Sequence, residues 1–225
     1  MRQPCCLCAQ IAGDADRDLL ERHLGRGHYT RRLAELKDGW HAIPSLGSLV
    51  PGHTLLCPST HTRSFASLTP TEIDAGCANL ADVSERLARL LGGPVQVFEH
   101  GDAINGDRVS CSVDHVHLHV VPAAPDLWPH IDGSIVWHEL RGGLRGLKQA
   151  VGDGEYLLFA DTKARWWFAH APTCGHSSQV MRRALATAIG EPSQWNWRLN
   201  PRLEETSASL EILTRTLGQR EVGVA

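Results

Sequence analysis

The residues with the clearest chemical capacity lie in the run His115-Val116-His117-Leu118-His119, where imidazole alternates with an aliphatic side chain. In an extended strand successive side chains point to opposite faces, so the three histidines share one face while Val116, Leu118 and Val120 share the other. A row of imidazoles backed by an apolar face can attack an electrophile, donate a proton or bind a metal. Two histidines at i and i+2 can also share one zinc or iron, so a mononuclear metal site is a rival reading of the same residues. A second reactive group, Cys5, Cys6 and Cys8, crowds the N-terminus. Cys5-x-x-Cys8 offers two thiolates to a tetrahedral zinc, and without a second Cys-x-x-Cys the other two ligands would have to be histidines.

The 225 residues suffice for one large domain, or one domain with a substantial extension, around a real hydrophobic core. Lys plus Arg total 22 against 25 Asp plus Glu, a formal net charge of -3. That balance argues against a dedicated nucleic-acid binder, but a few local donors can still hold a small anionic substrate. With 42% hydrophobic and 21% charged residues the composition is that of a folded globular chain. No run reaches the length of a spanning helix and the N-terminus lacks the apolar stretch of a signal peptide, so the expected address is cytoplasmic, with no membrane partner. The seven cysteines then read as metal ligands or reduced thiols, and the contexts of Cys57, Cys77 and Cys174 predict packed thiols.

Several elements must position these groups. Leucine spacing predicts a short helix over 14–24, and β-prone runs predict strands over 29–36 and 40–43 around a Lys37-Asp38-Gly39 turn, then a buried strand over 53–58. Thr69-Pro70-Thr71-Glu72 combines an N-cap, a proline at the first helical position and a capping-box glutamate, which predicts a helix over 70–91 that Gly92-Gly93 stops. Strands follow over 95–98 and 113–121, separated by a polar loop over 101–112. Pro122, Pro125 and Pro129 mark a boundary, beyond which a hairpin over 156–160 and 166–171 and helices over 177–189 and 202–217 are expected. The fold class is α+β.

The segment Asp114-His115-Val116-His117-Leu118-His119-Val120-Val121-Pro122 closely resembles the signature of the histidine triad (HIT) superfamily. Gly52-His53-Thr54-Leu55-Leu56-Cys57-Pro58-Ser59-Thr60-His61 is similar to that family's second landmark, and Cys5-x-x-Cys8 to a third, in the same order and at similar separation. The resemblance covers roughly the first 125 residues and is to the zinc-containing type, here with a C-terminal extension. It implies a HIT-like antiparallel sheet with packed helices in a catalytic domain over 1–125, and an α/β extension over 126–225 packed on that core. It also implies a nucleotide or nucleotide-conjugate substrate cleaved at its α-phosphate, with His117 attacking phosphorus to form a covalent nucleotidyl-histidine, His119 contacting the phosphate or leaving group, and Ser112 binding a phosphate oxygen. Hydrolysis and nucleotidyl transfer share that first step. By the same resemblance Cys5, Cys8, His61 and His115 would hold one structural zinc per chain, and a homodimer is one expected assembly. A metal-centred hydrolase or oxygenase and a non-catalytic nucleotide-binding module are the alternatives from other classes.

The chain departs from the family pattern at several positions. Glu99, in Phe98-Glu99-His100-Gly101, stands where an asparagine is common, and a carboxylate there would repel a phosphate unless it is protonated or paired, with His100 as a compensating donor or an exposed loop residue. Cys111 replaces a common glutamine, and Ser45 falls where a ribose-binding aspartate often lies. In the extension, His176-Ser177-Ser178-Gln179, Arg182-Arg183 and Trp195-Asn196-Trp197-Arg198 form a polar and basic group. A serine cap there would leave a helix N-terminus suited to an anion, with Arg183 or Arg198 reaching the leaving group and the tryptophans stacking on a base or sugar; the alternative is that the tryptophans pack the extension and the arginines are solvated.

Overall fold

A computed structural model describes residues 5–25, 33–102, 113, 115–170 and 179–217. Two short helices come first, α1 (Cys6–Ala12) and α2 (Leu19–Leu24). The helix expected over 14–24 is therefore shorter, and the cysteine segment is itself helical. Gly13 adopts the left-handed conformation that ends α1, and the Asp18 carboxylate accepts from the backbone N–H groups of Leu20 and Glu21 to start α2 afresh.

Strands β1 (Ala34–Glu35), β2 (Trp40–Pro44) and β3 (Thr54–Pro58) precede the long helix α3 (Pro70–Leu91), followed by β4 (Val95–Gly101) and β5 (Leu118–Pro122). The N-terminal part of the strand expected over 29–36 lies outside the described residues. Helix α3 starts as its sequence requires, with the Thr69 Oγ1 and Glu72 carboxylate capping each other's backbone. The remaining elements are β6 (His138–Glu139), α4 (Leu147–Val151), β7 (Tyr156–Ala160), β8 (Trp166–His170), α5 (Val180–Ala188) and α6 (Leu203–Leu217).

All eight strands form one antiparallel sheet in the order β1-β2-β3-β5-β4-β7-β8-β6. Strand β4 pairs with β5 along one edge and with β7 along the other, which carries the sheet unbroken past residue 126. That second partner also explains why β4 runs on to Gly101, three residues beyond the expected end. Strand β5, conversely, starts at Leu118 and not at 113, and its ladder with β3 runs from Leu56 back to Thr54.

The two faces of the sheet bury different groups. On one, α3 packs Ile73, Leu80, Val83 and Leu87 against Leu56, Leu118, Val120 and Val97. On the other, α1 and α2 contribute Leu7 and Leu20 beside Ile43 and Leu55, while α5 places Met181 and Leu185 in the cluster that holds Phe98 and Phe159. This second face carries the reactive imidazoles. Helix α6 secures the loop from β2 to β3: Thr206 Oγ1 accepts from Gly47 N–H at 3.1 Å and Ser209 Oγ from Gly52 N–H at 3.1 Å. Gly47 is needed there, since its φ is 69° and a Cβ would sit 2.7 Å from that of Trp197. Among the described residues no helix is long and apolar enough to cross a membrane.

Candidate active site

Register places His119 of β5 opposite Leu55 on one side and Phe98 on the other. Phe98 stacks on the His119 ring with centroids 4.5 Å apart and planes 20° from parallel. His53, just before β3, brings its Nε2 to 2.9 Å from His119 Nδ1. The backbone N–H of Leu49 donates to His53 Nδ1 at 3.4 Å, so His53 carries its proton on Nε2 and passes a hydrogen bond to His119 Nδ1. His119 is thereby left with its proton on Nε2. His117 is wired in the opposite sense: its Nδ1–H donates to the His115 carbonyl at 2.7 Å, which leaves Nε2 with the free lone pair.

His53, His117 and His119 all take up protons less readily than a free imidazole. Burial is the leading cause at each, and the positive charge of Arg182 adds to it; the His115 carbonyl opposes the shift at His117. His53 and His119 are driven far enough down to be neutral donors and acceptors at physiological pH. His117 and His119 open onto a largely apolar pocket that Leu7, Leu20, Ile43, Ser45, Met181 and Arg182 help to line.

His115 faces a different neighbourhood. Its Nε2–H donates to the Pro58 carbonyl at 2.8 Å, turning Nδ1 toward Cys5 Sγ at 3.6 Å and Cys8 Sγ at 3.4 Å. His61 Nδ1 lies 3.2 Å from Cys8 Sγ, and one ligand atom from each of Cys5, Cys8, His61 and His115 falls within 4.8 Å of the others. Zinc bonded at about 2.3 Å to sulfur and about 2.0 Å to nitrogen sets those atoms about 3.6 Å apart at the tetrahedral angle, so the four side chains fit a closed Cys2His2 centre. Cys5 is the N-cap of α1 and its Sγ accepts from Cys8 N–H, a local arrangement that brings both sulfurs to the same side. Cys6 is not in the cluster and lines the imidazole pocket instead, its thiol pushed up to about 11 chiefly by burial. Cys57 is a buried, packed thiol, Cys77 is half-buried, and Cys174 lies outside the described residues.

Residues 37–126 match the family model of the HIT domain. The chain contains a HIT domain. Among solved structures it is similar to a HIT family protein from Bacillus subtilis, at 19% identity over 53% of this chain and 73% of that one, with a TM-score of 0.40. A Zn-bound histidine triad family protein from Mycobacterium smegmatis aligns at 25% identity over 53% and 74% of the two chains, TM-score 0.35. Yeast Ap4A phosphorylase Apa2, in complex with AMP, aligns at 16% identity over 85% and 77%, TM-score 0.42.

Within the HIT domain, Glu99 meets the condition under which its carboxylate would not repel a phosphate: it is paired. Strand alternation turns it to the face opposite His119, where it is buried, accepts from Phe65 N–H at 2.8 Å and from Tyr156 Oη at 2.7 Å, and does not line the imidazole pocket. Burial raises its carboxyl to about 7 against those two bonds. His100 does turn into the pocket, with its Nε2 2.6 Å from the Glu155 carboxylate. Gly101 leaves room for the Tyr156 ring, which a Cβ would meet at 2.1 Å. Glu99, His100 and Gly101 are thus matched by Glu155 and Tyr156 at the start of β7.

The other expected binding residues divide. Ser112, with Cys111, lies outside the described residues. Arg183 and Arg198 are exposed and do not line the pocket; their guanidinium carbons sit 3.6 Å and 4.5 Å from the ring centroids of Trp195 and Trp197. Trp197 itself reaches the pocket wall, and Trp195 packs against the cluster around α5. Of the adjacent arginine pair it is Arg182 that faces inward. The helical period carries that signal, because Arg182 shares a face with buried Leu185 and Ala186, and Arg183 with exposed Thr187.

Proposed function

We propose that the chain is a nucleotide-processing enzyme that cleaves its substrate at the α-phosphate through a nucleotidyl-histidine at His117. The carrying observation is the hydrogen bond from His117 Nδ1–H to the His115 carbonyl, which aims basicity at Nε2 in the pocket and can stabilise the imidazolium that forms when Nε2 bonds to phosphorus. As the Nε2–P bond forms, the bond to the leaving group breaks and its electron pair departs with that group, which takes a proton from solvent. His119 Nε2–H, held by the relay from His53, donates a hydrogen bond to a phosphoryl or leaving-group oxygen. Water then attacks phosphorus, returns the electron pair to Nε2 and releases its proton to bulk, giving the nucleoside monophosphate.

The metal-centred alternative has less support, because among the described residues His117 and His119 belong to no ligand cluster. The Cys2His2 group would instead hold zinc, one per chain, tying α1 to the HIT domain; with four protein ligands it leaves no open position for substrate. Such an ion would set the strand lead-in that carries His117. The test is to incubate the protein with a panel of nucleotide conjugates, quench in mildly alkaline denaturant and weigh the intact chain. A mass increase of one nucleotidyl group, absent from His117→Ala, is expected; an adduct that survives that substitution assigns the chemistry elsewhere.

A further inference from the structure

Arg182, the third residue of α5, is 4% exposed and lines the pocket with His117 and His119. Its Nε–H donates to the Trp195 carbonyl at 2.9 Å, one terminal nitrogen to Ser45 Oγ at 3.4 Å, and the other to the Gly47 carbonyl at 2.7 Å. All three acceptors are neutral. Two other shielded arginines among the described residues are treated differently: Arg202 pairs with Glu191 and Glu205, and Arg63 with Asp102. A guanidinium has five N–H donors, so two remain beyond those bonds, and a buried cation with no carboxylate partner among the described residues is costly unless an anion arrives. Burial and the charge of Arg202 lower its pKa to about 9, which keeps it cationic at neutral pH.

A second observation converges on the same corner. Gln179, the N-cap of α5, lines the pocket in the left-handed conformation at φ 59°, makes no capping bond, and leaves its Oε1 buried without a hydrogen-bond partner. Among the described residues no N-cap side chain bonds to the first turn of α5, whose leading backbone N–H groups have no helical acceptor. A strained N-cap, a helix start without a side-chain cap and a guanidinium with no carboxylate partner among the described residues thus border one cavity beside His117.

We propose that Arg182, with the first turn of α5, is the anion-binding corner of this pocket and holds a phosphate group of the substrate. This inference rests on the reading of the pocket as a nucleotide site. It makes the segment after residue 126 a direct contributor of substrate contacts to the HIT domain.

Binding of adenosine, AMP, ADP and inorganic phosphate to the full chain, wild type against Arg182→Met and Arg182→Lys, tests the proposal. Arg182→Met is expected to weaken AMP and inorganic phosphate at least tenfold, with adenosine changed less than twofold and Arg182→Lys intermediate. Loss confined to ADP would place the held phosphate on the leaving-group side, and also supports the anion corner. Equal affinities of wild type and Arg182→Met for all four ligands would overturn it. Should Arg182→Met fail to fold, the wild type still decides: inorganic phosphate must raise its melting midpoint above chloride at equal ionic strength, and no difference sinks the idea. His117→Ala separates the two readings, because it should abolish the nucleotidyl adduct while retaining phosphate binding. A wild type that forms no adduct yet binds phosphate through Arg182 would refute the nucleophile and leave the anion corner standing.

Discussion

His115 and His117 stand two residues apart in one short segment, yet they present opposite ring nitrogens to their surroundings. His115 spends Nε2–H on the Pro58 carbonyl and turns Nδ1 to the cysteines; His117 spends Nδ1–H on the His115 carbonyl and turns Nε2 to the pocket. Identical side chains therefore offer opposite ring nitrogens, His115 Nδ1 to the two sulfurs and His117 Nε2 to the pocket, according to which backbone carbonyl each one meets. The same logic extends to His119, whose Nδ1 accepts from His53 and whose Nε2 must donate. In this cluster hydrogen bonds from and to the backbone assign the tautomers, and the tautomers decide which nitrogen is left to donate or to accept.

The largest effect should come from breaking one side of that comparison. His117→Ala is expected to lower turnover at least about a thousandfold while leaving metal content intact, measured by monophosphate release and elemental analysis. The mirror-image change is Cys5→Ser with Cys8→Ser, which should reduce zinc from about one per chain to nearly none and lower the thermal midpoint. Retained metal in that variant would break the assignment of the thiolates. A smaller loss, about a hundredfold, is expected for His53→Phe, because His119 then loses the donor that holds its proton on Nε2. Nitrogen NMR should show the His119 tautomer become mixed, an outcome a purely structural role for His53 would not produce.

The smallest effect belongs to the face behind the imidazoles. The Glu99 carboxyl is raised from 4.5 to about 7 by burial, so the folded state holds its proton more tightly than the unfolded chain does. Its contribution to stability is therefore fully present below about pH 4.5 and lost as pH rises toward 7. That slope is worth at most about 3 kcal/mol. Denaturant midpoints across that range should show a flatter profile for Glu99→Gln; an unchanged slope would remove Glu99 as its source.

Much of the scaffold was legible because its determinants are local. The capping box of α3 lies within four residues, 69–72, and the hairpin of β7 and β8 closes around Asp161, whose carboxylate accepts from the backbone of Lys163 and Arg165. The pairing of Cys5 and Cys8 with His61 and His115 was also anticipated, through family resemblance. What escaped depended on distant partners. The face taken by Glu99 matters only because Tyr156, 57 positions away, meets it there, and the inward turn of Arg182 is fixed by Ser45 and Gly47 across the pocket.

The order of residues by itself determined the His117 and His119 pair, the thiol pair, the start of α3 and the α+β class, because periodicity and capping act over one or two turns of chain; the expected third member of the row, His115, precedes β5 and turns to the cysteines instead. Only the tertiary structure decided which nitrogen of each imidazole is free, which arginine enters the pocket, and that strands beyond residue 126 continue the HIT sheet. Those choices depend on hydrogen-bond partners and buried charges brought together from far apart in the chain, where the energy of a contact exists only after the fold has formed it.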